Sequence, residues 1–297
     1  MIQYLYLGRV GYEEGLGLQA EMAALVAAGR HKNVLLLLEH PAVLTLGRNG
    51  NRANVLAGDA LLAARGVTLH QTNRGGDATY HGPGQLVGYP IFDLRSLRGP
   101  SGGRMGPVDF VRGIEEALIR VCAGWSVIAG RVAGLTGVWC GTNHEQQGPQ
   151  NEEQSSGMGR RRTVQSRSER KIGAIGIHVA KGITSHGFAF NLTTNLRDFE
   201  LIIPCGIADR AVTSLQHELD LIDPGRVADT PALETVADQV ARQFGMVFGE
   251  QVLAAGSLEA MRGHACATRE FPAEDTPAQA PPEVERLVGS PERPVKA

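Results

Sequence analysis

Short apolar runs with the two-residue period of a β-strand alternate along this chain with longer segments whose apolar residues recur every three or four positions. The strand-like runs are residues 2–10, 34–38, 43–46, 67–71, 86–94, 127–129, 137–140, 171–179 and 187–192. The helix-like segments are residues 12–28, 58–65, 107–123 and 230–248. This mixture, with several strand pairs close enough in sequence to form hairpins, predicts an α/β (α+β) fold built on a mixed β-sheet flanked by helices.

Two segments are too polar to contribute to such a core. Residues 143–170 contain Met158 and Val164 as their only large apolar side chains, so they bury too little apolar surface to offset the entropy lost on ordering. Residues 271–297 hold six of the chain's 15 prolines. We therefore predict a single domain over residues 1–270, with a disordered insertion at 143–170, and a disordered tail at 271–297.

The charge balance of the 297 residues argues against nucleic acid as the partner. The formal net charge is −2, whereas an obligate nucleic-acid-binding protein normally presents a net basic surface. No apolar run approaches the roughly 20 residues that span a membrane, and the N-terminal residues lack the pattern of a secretory signal. We expect a cytoplasmic protein with neither nucleic acid nor membrane as its partner.

The four cysteines, Cys122, Cys140, Cys205 and Cys266, show no metal-ligand spacing and no CxxC pair. We expect reduced thiols and no structural metal. Cys122 and Cys140 lie on apolar segments, so we predict that both are buried and inert.

A glycine-rich block, RGGDATYHGPGQ, covers residues 74–85. Its glycines allow backbone amides to approach a ligand closely, and Arg74 can hold an anion or a carbonyl group. A tight hairpin with no ligand explains the glycines equally well.

Two further blocks contain the candidate reactive groups. In KIGAIGIHV (residues 171–179) a lysine stands at the entrance of a strand whose small residues leave room for a narrow channel. For Lys171 alone, a solvated lysine at a strand edge is the commoner situation, and His178 is as easily a core histidine as a substrate contact.

In FELIIPCGI (residues 199–207) Cys205 lies on a turn, where nearby amides favour the thiolate. Taken alone, that cysteine is also explained as a buried, inert one.

Taken together and in this order, the blocks resemble the lipoyl(octanoyl) transferase family, the octanoyl-acyl-carrier-protein:protein octanoyltransferases. The matching strings are LGRNGN (46–51), RGGDATYHGPGQLVGYPIFDL (74–94), GVW (137–139), KIGAIGIHV (171–179), HGFAFNL (186–192) and FELIIPCGI (199–207). The resemblance implies a fold like that of the biotin and lipoate protein ligase catalytic domains. The insertion and the tail depart from the family pattern without touching a motif.

The resemblance also implies an activity and a set of site residues. The activity is transfer of an octanoyl group from octanoyl-acyl carrier protein to a lysine of lipoyl domains, those of 2-oxoacid dehydrogenase E2 subunits and of the glycine cleavage H protein, through a thioester on Cys205 assisted by Lys171. Neither ATP nor a metal cofactor is expected. The implied substrate-binding residues are Arg74, Gly75, Gly76, Asp77, Ala78, Thr79, Tyr80, His81, Ala174, Ile175, Gly176, Gly187, Phe188 and Ala189, with His178 as a further candidate.

Two alternatives remain open from the residues themselves. An ATP-dependent lipoate or biotin protein ligase of the same fold would bind a nucleotide and would not need Cys205. A non-catalytic acyl-binding or lipoyl-domain-binding protein would need neither Cys205 nor Lys171. The co-occurrence of a turn cysteine and a strand-entrance lysine favours the transferase.

Overall fold

The computed structural model describes residues 1–141, 169–204, 210–224 and 230–263. Its strands are β1 (Ile2–Arg9), β2 (Asn33–Glu39), β3 (Val43–Leu46), β4 (Thr68–Gln71), β5 (Ala78–His81), β6 (Gln85–Ile91), β7 (Ala129–Val132), β8 (Leu135–Cys140), β9 (Arg170–Ala180), β10 (Ile183–Asn191), β11 (Ala211–Val212) and β12 (Val252–Ala254). Its α-helices are α1 (Tyr12–Ala27), α2 (Asp59–Ala64), α3 (Pro107–Gly124), α4 (Leu215–Ile222), α5 (Leu233–Phe248) and α6 (Leu258–Gly263). The chain divides into two units, Met1–Ala265 and Cys266–Ala297, and every described residue belongs to the first.

The large sheet is mixed, which confirms the predicted fold class. Its strand order is β12-β1-β2-β6-β10-β9-β8-β7, with β11 added beside β9. β1 runs parallel to β12 and β2, whereas the pairs from β2 through β6, β10, β9 and β8 to β7 are antiparallel. A second sheet has the order β4-β3-β5.

Helices cover one face of the large sheet because their apolar residues fall on one side. In α3, Phe110 and Leu118 are buried at helical spacing, as are Val240 and Phe244 in α5. These residues join a single core cluster with Phe92, whose ring lies 5.5 Å from that of Phe110. The opposite face carries α1, which buries Met22 against residues of β2 and β6. None of the helices in the described ranges is both long and apolar enough to cross a membrane.

Some element boundaries differ from those predicted. The strand predicted at 86–94 ends at Ile91, the strand at 127–129 begins only at Ala129, and the helix at 230–248 begins at Leu233. The predicted elements include neither α4 nor β12. α4 is marked by its cap, since the His217 backbone N–H donates to Ser214 Oγ at 3.2 Å.

The predicted insertion extends too far at its C-terminal end. Arg170 is the first residue of β9 and pairs with Ala211 of β11. Its guanidinium donates to both carboxylate oxygens of Glu218, at 2.9 and 2.8 Å. This bidentate ion pair and the sheet pairing order a residue whose sequence neighbours are all polar. Residues 143–168 and 271–297 lie outside the described residues, so their disorder stays a prediction.

Candidate active site

A narrow pocket lies between the large sheet, α1 and β5. The lining residues are Tyr12, Arg74, Gly75, Gly76, Thr79, His81, Val87, Tyr89, Ala174, Ile175, Gly176, His186, Gly187, Phe188 and Ala189. The glycine-rich block and the small residues of two adjacent strands therefore surround one cavity, which we call the channel.

Close backbone contacts form one end of the channel. The Gly75 N–H donates to the Ile177 carbonyl oxygen at 3.0 Å, which attaches the 74–76 loop to β9. A Cβ atom on Gly176 would lie 2.5 Å from the Gly75 carbonyl oxygen. Any side chain there would push the loop off the strand, so a glycine is required for this end of the channel to close.

Arg74 stabilises the same loop from within. Its Nη2 donates to the carbonyl oxygens of Thr45 and Asp77, both at 2.6 Å, and its Nε donates to Thr45 Oγ1 at 3.1 Å. The side chain lines the channel, but these bonds are to the protein itself. Binding of an anion or carbonyl group by Arg74 stays a prediction.

Only alternate residues of β5 face the channel, because successive side chains of a strand point to opposite sides. Thr79 and His81 line it, whereas Ala78 and Tyr80 are buried in a separate apolar cluster. The Asp77 carboxylate accepts hydrogen bonds from the backbone N–H groups of Asn51 and Ala78, at 3.1 and 2.7 Å. These three predicted binding residues, Asp77, Ala78 and Tyr80, therefore do not line the channel.

His178 is also outside the channel. It lines a separate surface pocket with Arg48, whose Nη2 lies 2.8 Å from His178 Nδ1. Because a guanidinium is always a donor, Nδ1 accepts in this contact.

The histidines of the channel are held neutral. Burial, reinforced by the neighbouring His40 and Arg74 charges, lowers the pKa of His81 to about 3. Burial likewise lowers the pKa of His186 to about 4, with Arg74 and His178 adding to the effect. His81 Nδ1 lies 2.8 Å from Gln85 Oε1, while Gln85 Nε2 donates to Asn191 Oδ1 at 2.9 Å. With the amide in this orientation, His81 donates from Nδ1 and keeps Nε2 as an acceptor. These two histidines therefore add no charge to the channel wall that Arg74 also lines.

A smaller pocket continues the channel at its other end. It is lined by Thr79, Gln85, Lys171, Ala174, Ala189, Asn191, Phe199, Pro204 and Val212, three of which also line the channel. Lys171 is only 8% exposed, so the interpretation of it as a solvated strand-edge lysine is wrong. Cys205 lies outside the described residues, but Pro204, directly before it in sequence, lines this pocket beside Lys171.

A β-bulge directs Lys171 into that pocket. Along β8 and β9, Val138 pairs with Gly173 but Trp139 pairs with Lys171, so β9 has one extra residue, Ile172, at this point. Ile172 packs in the core on the opposite face of the sheet. Strict alternation would place Lys171 on that face, away from Ala174; the bulge reverses its side.

Cys122 and Cys140 have no access to the channel. Cys122 and Cys140 are fully buried free thiols. Burial raises the pKa of Cys122 well above its usual range and that of Cys140 to about 12. Both are therefore inert thiols at neutral pH, as the sequence predicted, while Cys266 lies outside the described residues.

Several lining residues are not among those predicted. Tyr12 and Tyr89 contribute rings to the channel, and His186 and Asn191 are the first and the last but one residue of the quoted string HGFAFNL. His186 has a left-handed backbone (φ 56°) whose N–H donates to Gln19 Oε1 at 2.7 Å. Within the described ranges, no three His, Cys, Asp or Glu side chains come together as a metal site would require.

Comparison with known proteins shows the family of this chain. Residues 11–245 match the family model for the lipoyl protein ligase A/B catalytic domain. The octanoyltransferase of Acidobacterium capsulatum is 54% identical over 259 residues, covering 85% of this chain and 92% of that protein. The octanoyltransferase of Koribacter versatilis is 44% identical over 97% of both chains.

Solved structures share the fold at low sequence identity. Lipoate-protein ligase A bound with ATP is 15% identical with a TM-score of 0.56, covering 89% of this chain and 93% of that one. A bipartite lipoate protein ligase from Thermoplasma acidophilum, studied with its E2 lipoyl domain, is 16% identical with a TM-score of 0.58 and covers 89% of each chain. The chain therefore belongs to the lipoyl protein ligase A/B catalytic domain family and, within it, is an acyltransferase like its octanoyltransferase relatives.

Proposed function

We propose that this protein transfers an octanoyl group from octanoyl-acyl carrier protein to a lysine of lipoyl domains, through a thioester on Cys205. The observation that supports this most directly is the continuity of the two pockets. A narrow channel runs from Lys171 and Pro204, past Thr79, Ala174 and Ala189, to the backbone contact of Gly75 with Gly176. Such a cavity suits an unbranched chain whose reactive end stays beside Lys171.

The length of the channel fits an acyl chain of this size. Along β10, Asn191 lines the Lys171 end and Gly187 the far end, a distance of roughly 13 Å at about 3.3 Å per residue. An extended eight-carbon chain needs roughly 8 Å, taking the reach of about 3.6 Å per three bonds of an extended backbone. Burying its methylenes at about 0.8 kcal/mol each supplies most of the binding energy.

In the first chemical step, the Cys205 thiolate attacks the thioester carbonyl carbon. The bond from that carbon to the carrier protein's sulfur breaks, and the departing thiolate takes a proton from the Lys171 ammonium. Exchange of one thioester for another is close to isoenergetic, so a cysteine nucleophile suits this step. A positive charge beside the cysteine favours its thiolate.

In the second step, the amine of the acceptor lysine attacks the Cys205 thioester. Neutral Lys171 takes a proton from that amine, the carbon–sulfur bond breaks, and the Cys205 thiolate is restored. The octanoyl group ends in an amide, and no ATP or metal takes part.

Sequence identity favours this reaction over an ATP-dependent ligase. Proteins 54% and 44% identical to this chain are octanoyltransferases, whereas the ligase structures share only the fold, at about 15% identity. The Thermoplasma structure with an E2 lipoyl domain supports a lipoyl domain as the acceptor. We further propose that the protein acts in the cytoplasm.

Intact-mass spectrometry after mixing with octanoyl-acyl carrier protein, without ATP, tests the proposal. We expect one octanoyl adduct on the wild-type protein and none on Cys205→Ala. Cys122→Ala and Cys140→Ala are the matched controls and should keep the adduct, because both thiols are buried. An adduct on another residue would overturn the role of Cys205, and a requirement for ATP would favour the ligase.

Lys171→Arg separates the two steps. Arginine keeps a positive charge beside Cys205 but cannot be deprotonated in a protein. The variant should therefore form acyl-enzyme slowly and fail to pass the acyl group to the lipoyl domain, so the adduct accumulates in single-turnover mass spectrometry. Lys171→Ala should lose both steps. If Lys171→Arg turns over like the wild type, Lys171 is not the base.

A further inference from the structure

We propose that Trp139 is a positioning residue that holds the Lys171 ammonium on its indole face at the reactive end of the channel. The inference rests on the proposed function, since it concerns the lysine to which we assign the proton transfers. It assigns a role to Trp139 of the string GVW (137–139), which takes no part in the two chemical steps above.

The two side chains meet across paired strands. Trp139 on β8 lies opposite Lys171 on β9, at the bulge that directs the lysine into the pocket. Lys171 Nζ lies 4.6 Å from the centroid of the Trp139 ring. Both residues are buried, with 1% of Trp139 and 8% of Lys171 exposed. An ammonium within about 6 Å of a tryptophan ring is attracted to its face, most strongly where water is excluded.

Gly137 makes room for the lysine. A Cβ atom at this position would lie 2.6 Å from the Gly173 carbonyl oxygen and 3.4 Å from Lys171 Cε. Its φ of +126° is also one that side-chain-bearing residues avoid. The Gly137 N–H donates to Glu115 Oε1 at 2.9 Å, which fixes the strand beneath the lysine. The aliphatic part of the Lys171 side chain thus lies beside Gly137, and its ammonium lies at the indole ring.

An aromatic face suits a lysine that must both keep and release a proton. The ring stabilises the ammonium through its quadrupole yet carries no net charge. A carboxylate in the same place would hold the proton more firmly and repel the Cys205 thiolate. The indole therefore keeps the cation in position without competing for it.

Other charges surround this pair. The Arg210 guanidinium carbon lies 5.8 Å from the same ring centroid, and Arg210 is ion-paired with Glu169. Next to Lys171 on β9, Arg170 is ion-paired with Glu218. Among the described residues that line the small pocket, Lys171 is the one ionisable side chain.

The indole N–H does not hold the ring in place through the described residues. It is buried and has no hydrogen-bond acceptor among them. Phenylalanine keeps an aromatic face and removes this donor at little cost, whereas leucine removes the face. The contrast between Trp139→Phe and Trp139→Leu therefore isolates the aromatic face.

The pH dependence of acyl-enzyme formation is the decisive measurement. When the ring face is removed, the ammonium releases its proton more readily, so the alkaline limb of the profile should move to lower pH by about half to one pH unit. We expect this shift, with a rate about three- to tenfold lower than wild type on the alkaline limb, for Trp139→Leu, and a profile that overlays the wild type for Trp139→Phe. Trp125→Phe is the matched control, since that ring donates to Gln239 on α5 at 2.7 Å.

Fluorination gives a second test that preserves shape, in case Trp139→Leu does not fold. The chain has two tryptophans, so in the Trp125→Phe background fluorotryptophan enters at position 139 alone. Adding fluorines weakens the ring quadrupole stepwise and should move the alkaline limb stepwise. Profiles that overlay for every fluorinated form would overturn the role of Trp139. Failure of the wild type to form any acyl-enzyme would instead overturn the proposed function.

Discussion

Acidification should destabilise the folded protein well above the pH at which carboxylates titrate. His81 and His186 are 7% and 5% exposed, and burial lowers their pKa values to about 3 and about 4. In the unfolded chain a histidine has a pKa of about 6.5. Between these values the unfolded state binds protons that the folded state excludes, so stability is present above pH 6.5 and is lost as the pH falls.

Each such histidine contributes a slope of about 1.4 kcal/mol per pH unit. The two together should reduce the free energy of unfolding by about 4 kcal/mol between pH 7 and pH 5, a large fraction of the 5–15 kcal/mol of an ordinary domain. Carboxylates such as Glu218, whose pKa is lowered by its hydrogen bonds to Arg170 and Thr213, lose their contribution only as the pH falls through about 4.5.

Urea unfolding followed by tryptophan fluorescence at pH 7, 6 and 5 measures this slope. His186→Asn should lower it by about 1.4 kcal/mol per pH unit, the share of one histidine, and asparagine tolerates the left-handed backbone of that position. His217→Asn, at an exposed position on α4, is the matched surface control. A free energy of unfolding that stays constant between pH 6.5 and pH 5 would refute the exclusion of protons from these buried rings.

Two substitutions test other parts of the site. Glu115 is fully buried and accepts hydrogen bonds from two arginines and from the Gly137 N–H, so Glu115→Gln should lower the free energy of unfolding in urea by about 3 kcal/mol. Glu116→Gln, at a half-buried carboxylate, should cost less than about 1 kcal/mol, and equal losses would contradict the argument. Ala189 lines both pockets, so Ala189→Leu should reduce octanoyl transfer at least tenfold while sparing a butanoyl donor, as measured by acyl-enzyme mass. Ala63→Leu, on exposed α2, is its control, and an unchanged chain-length preference for Ala189→Leu would place the acyl chain elsewhere.

Local patterns predict much of this fold because the core elements bury one regular face each. β3 has the predicted bounds, 43–46, and α1 and α3 differ from prediction by one residue at one end. The quoted strings also converge, since residues of 74–81, 174–176 and 187–189 line one channel. Their role in binding the acyl chain stays a prediction.

The side on which a residue lies is harder to predict than the strand to which it belongs. In the run 77–80 only Thr79 reaches the channel, because the segment is a strand and not an extended binding loop. Lys171 reaches the small pocket only because Ile172 is an extra residue in β9. Nothing local in KIGAIGIHV signals that bulge, which depends on pairing with β8. Tyr12 comes from α1 and belongs to none of the quoted strings, and Tyr89 lies within the string 74–94 but outside its glycine-rich block.

The pairing of Cys140 with Arg170 has a consequence for chain length. These residues lie side by side on β8 and β9, just outside residues 142–168. For a segment whose ends are already joined by a sheet, closure entropy grows only with the logarithm of its length, about 0.6 kcal/mol per doubling. Adding residues between Gly141 and Glu169 should therefore cost little closure entropy, while the strand pairs beyond them keep Lys171 in place. This end of the hairpin offers a position for a fluorescent label or an affinity peptide close to the reactive centre, from which the arrival of a carrier protein or a lipoyl domain can be followed.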